Sequence, residues 1–328
     1  MVPLSVLDLS PIVQGANASV ALRNTLDLAQ HCERWGYLRY WLAEHHNMPG
    51  VASAATSIVI AHVARGTSSL RVGAGGIMLP NHAPLIIAEQ FGTLESLFPG
   101  RIDLGLGRAP GSDPLTQHVL RRDPSAAEQF AQDVVELQTW FRPVEPDQRV
   151  RAVPGAGLSV PIWILGSSLF GAQLAAVMGL PFAFASHFAP AHLSEAVELY
   201  RNNFKASAQL KRPYVMLGLN VIAAESDAEA RLLATSQRQA FVNLRRGRPG
   251  PLPPPDANLD ATLHPDERAM LDSALSCTVL GAPDSVRRGL AEFIELTRAD
   301  EIMISSHIFD HEARLRSFEL AAAVHHAR

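Results

Sequence analysis

Residues 70–107 read LRVGAGGIMLPNHAPLIIAEQFGTLESLFPGRIDLGLG, and two hydrophobic periods meet inside this stretch. Leu70 to Met78 is a short apolar run of strand length. Pro84 pre-sets the backbone for a first helical turn. Ile87, Phe91, Leu94 and Phe98 then follow at spacings of three and four, the apolar stripe of a helix with one buried face. Pro99-Gly100 ends that helix, and Arg101 to Gly107 is a second apolar run. A strand, a crossover helix and a strand of the same kind imply parallel pairing, because the helix returns the chain to the end from which it started.

The same alternation extends in both directions. Strands are predicted at about 3–9, 37–43, 160–165, 181–185, 214–223 and 301–305. Helices are predicted at about 22–36, 53–64, 126–141, 170–178, 191–205, 226–245, 266–274, 283–297 and 309–325. Ser226 and Glu229 form the S-x-x-E capping box of the long helix. Eight apolar strands, each followed by a helix, point to a closed (β/α)8 TIM barrel with insertions over residues 1–328. An open doubly wound sheet is the alternative. Residues 142–159 read as a loop. Residues 247–264 carry five prolines and no periodicity, and read as an excursion or lid.

Composition narrows the function classes. The chain has 328 residues, 47% of them hydrophobic, and a net charge of −4. Mild acidity argues against a nucleic-acid surface, and Arg245, Arg246 and Arg248 read as a solvated helix end. Two cysteines, Cys32 and Cys277, suit a reducing compartment. Neither a signal peptide nor an apolar run long enough to span a membrane is expected, so a cytoplasmic location is.

In a parallel barrel the chemistry sits where strands end, and the unusual residues concentrate there: Asp8 and Ser10, Glu44-His45-His46-Asn47, Asn81-His82, Gly105 to Arg108, Gly166-Ser167-Ser168, Ser186-His187, and Ser305-Ser306-His307. The strand starts are expected to carry no comparable set. Ser167 and Ser168 precede a helix, where free amides and hydroxyls suit a phosphate; an ordinary serine cap is the competing reading. Arg108 could reach the same anion. Gly75, Gly76, Gly105 and Gly107 would either let a flat ring lie against the backbone or serve tight barrel packing. No G-x-G-x-x-G fingerprint and no phosphate-binding P-loop is present. Adjacent strand residues point to opposite faces, so His45 and His46 are poor partners for one metal. His45 is expected to serve acid–base chemistry and His46 to be structural, with Glu44 orienting a neighbour.

Taken together, Tyr-Trp-Leu-Ala-Glu-His-His from residue 40, Leu-Arg-Val-Gly-Ala-Gly-Gly-Ile-Met-Leu-Pro from 70, Phe-Pro-Gly-Arg-Ile-Asp-Leu-Gly-Leu-Gly-Arg from 98, Ile-Leu-Gly-Ser-Ser from 164 and Val-Leu-Gly-Ala-Pro-Asp-Ser-Val near 279 resemble the bacterial luciferase-like flavin monooxygenase family. The likeness covers nearly the whole chain. It implies a catalytic role for His45, a flavin ring against Gly75 and Gly76 where the family often holds a non-proline cis peptide, and a flavin site that also includes Gly107. It also implies phosphate contacts from Arg108, Ser167 and Ser168, with Leu9, Met78 and His187 in the substrate pocket. The implied chemistry is monooxygenation with reduced FMN and O2, the flavin being supplied by a separate NAD(P)H-dependent reductase, in a homodimer. Gly107 stands where light-emitting members have Cys, which argues against light emission, and the short-loop pattern with Phe-Ala-Ser-His-Phe-Ala-Pro from 184 resembles the non-luminescent, single-chain branch. A deazaflavin-dependent dehydrogenase and a flavin carrier without catalysis are the alternatives.

Overall fold

A computed structural model describes residues 1–123 and 125–326. Among the described residues nine strands are present: β1 (Leu4–Asp8), β2 (Arg39–Leu42), β3 (Arg71–Met78), β4 (Ile102–Gly107), β5 (Ile162–Gly166), β6 (Phe182–Phe184), β7 (Val215–Ala223), β8 (Thr278–Gly281) and β9 (Glu301–Ser305). The helices among the described residues are α1 (Ala18–Arg34), α2 (Thr56–Gly66), α3 (Pro84–Leu97), α4 (Pro114–Val119), α5 (Phe130–Trp140), α6 (Leu169–Met178), α7 (Leu193–Asn203), α8 (Asp227–Arg245), α9 (Leu259–Thr262), α10 (Pro265–Ala274), α11 (Pro283–Thr297) and α12 (His311–His326). No helix is long and apolar enough to cross a membrane among the described residues.

Strands β1 to β7 and β9 pair in parallel and close through β6–β7, β7–β9 and β9–β1, giving the expected (β/α)8 barrel. The open-sheet alternative is excluded by that closure. Strand β8 was not anticipated. It pairs with Asn220–Ala223 of β7, beyond the point where β6 stops at Leu217. Four residues carry too little pattern to reveal such a strand; it exists because the long β7 leaves backbone groups there that need partners. Helices α4 and α9 were also unanticipated.

Side chains alternate between two cores, as strand geometry requires. Val6, Tyr40, Leu42, Val72, Leu104 and Ile164 point outward into the layer beneath the helices. Leu7, Trp41, Trp163, Ala183, Met216 and Met303 point inward. Trp41 and Trp163 meet edge to face at 5.1 Å and plug the barrel. The glycines make room for them: a Cβ on Gly73 would fall 2.8 Å from Trp41 Nε1, and one on Gly75 would fall 2.7 Å from Leu7 and 3.1 Å from Trp41.

The strand starts do carry a polar set, contrary to expectation. Arg39 donates to Glu301 at 3.0 Å and to Asp103 at 2.8 Å, and Tyr214 and Trp41 donate to the same two carboxylates at 2.9 and 3.2 Å. Ser5 also donates to Glu301, and Arg71 to Asp103. Arg39 lies over the Trp163 ring. This ionic layer seals the end of the barrel opposite the site. Its members come one or two at a time from β1, β2, β3, β4 and β9, with Tyr214 just before β7, so no local cluster announces them.

Candidate active site

Above the tryptophans the barrel opens into a cavity of about 620 Å³ whose wall is mostly apolar. Nine of the ten residues singled out from the sequence line it: Leu9, His45, Gly75, Met78, Gly107, Arg108, Ser167, Ser168 and His187. Gly76 does not. The Gly75–Gly76 peptide is cis, and a Cβ on Gly76 would come within 2.8 Å of the Gly105 carbonyl oxygen. Gly105 is similarly hemmed in by the Ala74 carbonyl at 2.2 Å. For Gly76 and Gly105 the packing reading therefore holds: β3 and β4 approach too closely for side chains. At Gly107 the close neighbour is the flexible end of Met78, with the Ile77 carbonyl oxygen at an ordinary 3.8 Å.

The phosphate-type corner is built by β5 running into α6. Ser168 occupies the N-cap position with extended backbone, yet its side chain makes no capping bond, and no acidic residue sits in the first turn. The ordinary-cap reading fails here. The first-turn amides of α6 and both serine hydroxyls stay available at the cavity wall, where helix polarity favours an anion. Arg108, exposed at the end of β4, stacks its guanidinium 4.2 Å from the ring centroid of Phe170 in the first turn of α6.

His45 follows β2, with its backbone N–H bonded to Ser53 O at 3.1 Å. Burial pushes its pKa below the ordinary histidine value, against the opposing pull of the Gly111 carbonyl and Glu44. Its ring is thus neutral at neutral pH and able to accept a proton. Glu44 orients other residues: His46 and His82 each place Nε2 2.9 Å from its carboxylate, and Met78 N and Asn81 Nδ2 donate at 2.9 and 3.2 Å. Burial works to raise the Glu44 pKa, but the bonds from His82, His46 and Met78 hold it below the usual carboxylate range. This clamp ties the ends of β2 and β3 together, and His46 is structural.

Asp8 also leaves the rim. It turns outward and accepts from Tyr40 at 2.6 Å, Thr25 at 2.7 Å and Arg314 at 2.7 Å in a buried cluster. The lining residues that were missed include His307 after β9 and Gln237 on α8. His307 stood among the polar strand ends and could have been carried forward. Gln237 had no signal, since nothing in a helical repeat marks which polar residue turns inward. Residues 247–264 supply Pro249, Gly250 and Leu252 to the wall. Leu252 exchanges backbone bonds with Ile12 and Gln14 at 2.8 and 2.9 Å, which pins the excursion against the loop after β1. At the helix end beside it Arg246 pairs with Glu267 at 2.7 Å, whereas Arg245 joins the cavity mouth.

Residues 3–300 match the family described as luciferase-like monooxygenase. A protein of Escherichia coli strain K12 named luciferase-like monooxygenase is 56% identical over 98% of this chain and 97% of its own length. Among solved structures, apo-MsnO8 superposes with a TM-score of 0.92 at 34% identity, covering 99% of this chain and 98% of that one. More distant structures share the fold alone. The oxygenating constituent of 3,6-diketocamphane monooxygenase in complex with FMN does so at 17% identity and a TM-score of 0.72, covering 98% and 97% of the two chains. An F420-dependent secondary alcohol dehydrogenase does so at 13% and 0.71, covering 98% of each. The barrel, its cavity at the strand ends and these matches have one reading: the chain belongs to the luciferase-like monooxygenase family and is an oxygen-incorporating oxidoreductase.

Proposed function

We propose that the cavity binds reduced FMN with its phosphate at the α6 N-terminus, and that the protein uses it with O2 to oxidise a small organic molecule. The observation that carries this reading is the corner formed by Arg108, Ser167, Ser168 and the uncapped first turn of α6, which opens onto an apolar cavity of about 620 Å³. The donor set fits a phosphate monoester: a forked cation, two hydroxyls and free amides. The apolar walls and the backbone at Gly75 and Gly107 fit a flat ring.

Bound FMN would supply the activation of dioxygen, chemistry that side chains do not provide. The residues of this chain do the rest. Arg108, Ser167 and Ser168 fix one end of the cofactor. Trp41, Met216 and Met303 close the floor, and Pro249, Gly250 and Leu252 close one wall, which keeps water from the reacting centre. His45, held neutral, takes or returns a proton during oxygen transfer. Reduced FMN would come from a separate NAD(P)H-dependent reductase, since the sequence carries no nicotinamide fingerprint. A homodimer in the cytoplasm completes the reading that the family resemblance supports.

A deazaflavin would instead serve hydride transfer without O2, on the same fold. Titration with FMN, then oxygen-electrode measurements with chemically reduced FMN, is compared with alcohol oxidation in the presence of deazaflavin. FMN binding and substrate-dependent oxygen uptake with an oxygenated product are expected. Alcohol oxidation with deazaflavin, and no uptake with FMN, would overturn the proposal.

A further inference from the structure

His187 and His307 stand together in the cavity, just past β6 and β9, and neither imidazole makes a side-chain hydrogen bond within the described residues. His187 Nδ1 and His307 Nε2 are buried without partners, and so are the hydroxyls of Ser305 and Ser306 beside His307. The position of His187 is built. Its carbonyl accepts from Asn220 Nδ2 at 2.5 Å, and Asn220 Oδ1 in turn accepts from Gln237 Nε2 at 2.8 Å. Gly218 leaves the space the ring occupies, since a Cβ there would lie 2.2 Å from His187 Nδ1. Buried polar groups without partners cost free energy, and structures rarely keep them. The other two ring nitrogens, His187 Nε2 and His307 Nδ1, have no protein partner either, and both partly exposed rings line the cavity, where a ligand can pair with them.

We propose that His187 and His307 are the substrate-specificity pair of this cavity, and that they hold the hydroxyl group of an otherwise apolar, uncharged substrate. A neutral imidazole offers one donor and one acceptor nitrogen, and a hydroxyl both donates and accepts. One ring therefore receives the hydroxyl proton while the other donates to its oxygen. A carboxylate only accepts and an ammonium only donates. Neither finds a free opposite charge on the cavity wall: no Asp or Glu lines it, its two arginines, Arg108 and Arg245, sit exposed at the mouth, and Arg314 and Asp8 behind His307 are spent on each other at 2.7 Å. Burial, aided by neighbouring His307, pushes the His187 pKa down to about 3. Burial and Arg314 push His307 to about 4, with Asp8 opposing and His45 adding to the shift. Both rings stay neutral under ordinary conditions. The other lining residues at this depth, Leu7, Ala183, Met216 and Met303, are apolar and suit the hydrocarbon part.

The inference rests on the cavity being the reaction chamber and is independent of which cofactor fills the phosphate corner. Isothermal titration of the full-length protein, with and without FMN, compares 2-naphthol, naphthalene and 2-naphthoate. The expected result is 2-naphthol binding at least about tenfold more tightly than either of the others, the factor that about 1.4 kcal/mol of hydrogen bonding supplies. In His187→Phe and His307→Phe the ratio of naphthol to naphthalene affinity falls toward one. In His187→Gln and His307→Gln, which keep a donor and an acceptor, it is largely retained, and these variants carry the comparison where a Phe variant fails to fold. Equal affinities in the unmodified protein, binding of none of the three, or a ratio that survives in Phe variants melting at the original temperature would overturn the proposal. A failed FMN titration with the naphthol ranking intact would remove the cofactor reading and leave this one standing.

Discussion

The guanidinium of Arg108 stacks on the ring of Phe170, 4.2 Å from its centroid. Arg108 directly follows β4 and Phe170 lies in the first turn of α6, so the contact joins two neighbouring βα units at the phosphate-type corner. A cation on an aromatic face is attracted to the ring and held in place. The stack restrains the forked donors against the first turn of α6 and reduces the ordering that binding must impose.

Arg108→Ala should therefore weaken FMN binding about 10- to 100-fold, the range expected for loss of charge-assisted hydrogen bonds. Riboflavin, which lacks the phosphate, should bind both proteins alike. Fluorescence titration with the two flavins measures this directly, and equal FMN affinity would remove Arg108 from the cofactor site.

His45→Ala should lower turnover by roughly 10²–10⁴ while flavin affinity stays within about twofold. The proton-accepting ring is lost, but not the corner proposed to hold the cofactor. Because burial lowers the His45 pKa, the acid limb of the rate profile should lie below the ordinary histidine value. Rates measured from pH 5 to 8 with the reduced cofactor test both points, and unchanged turnover in the variant would dismiss the residue.

Stability should fall as the solution is acidified below about pH 6.5, in part through His187 and His307. Their folded pKa values, about 3 and about 4, lie below the unfolded value of about 6.5. Between these limits the unfolded chain binds protons that the folded chain refuses, so acid favours unfolding. Each histidine contributes up to about 1.4 kcal/mol per pH unit in that window. Urea denaturation at pH 6.5 and 5.5 should show a smaller pH-dependent loss in His187→Phe and His307→Phe than in the unmodified protein. Identical losses would contradict the neutral burial of the pair.

Gly105→Ala and Gly107→Ala should differ although they lie two residues apart on one strand. At Gly105 the new methyl group would meet the Ala74 carbonyl oxygen at 2.2 Å and Leu165 at 2.7 Å, and backbone cannot step aside cheaply. A loss of about 3 kcal/mol or more is expected, the upper end of overpacking costs. At Gly107 it would meet Met78 Sδ at 2.8 Å, the mobile end of a flexible chain, and less than about 1 kcal/mol should be lost. Urea midpoints of the two variants check the contrast.

The sequence by itself determined the barrel and the end at which chemistry is done. Strand and helix periods follow from which side chains must be buried, and burial is recorded locally, residue by residue, in windows such as 70–107. The order of polar strand ends around the rim follows from the same record, which is why nine of ten site residues reach one cavity. Tertiary structure alone decided which polar groups are satisfied. Glu44 spends its carboxylate on His46 and His82 rather than on His45. Asp8 turns outward to Arg314, 306 positions away in the chain. Arg39, Asp103 and Glu301 converge from three strands into an ionic seal. A hydrogen bond or an ion pair needs two partners within about 3 Å, and partners so distant in sequence leave no periodic trace. For the same reason the empty-handed imidazoles of His187 and His307 became visible only once every neighbour was in place.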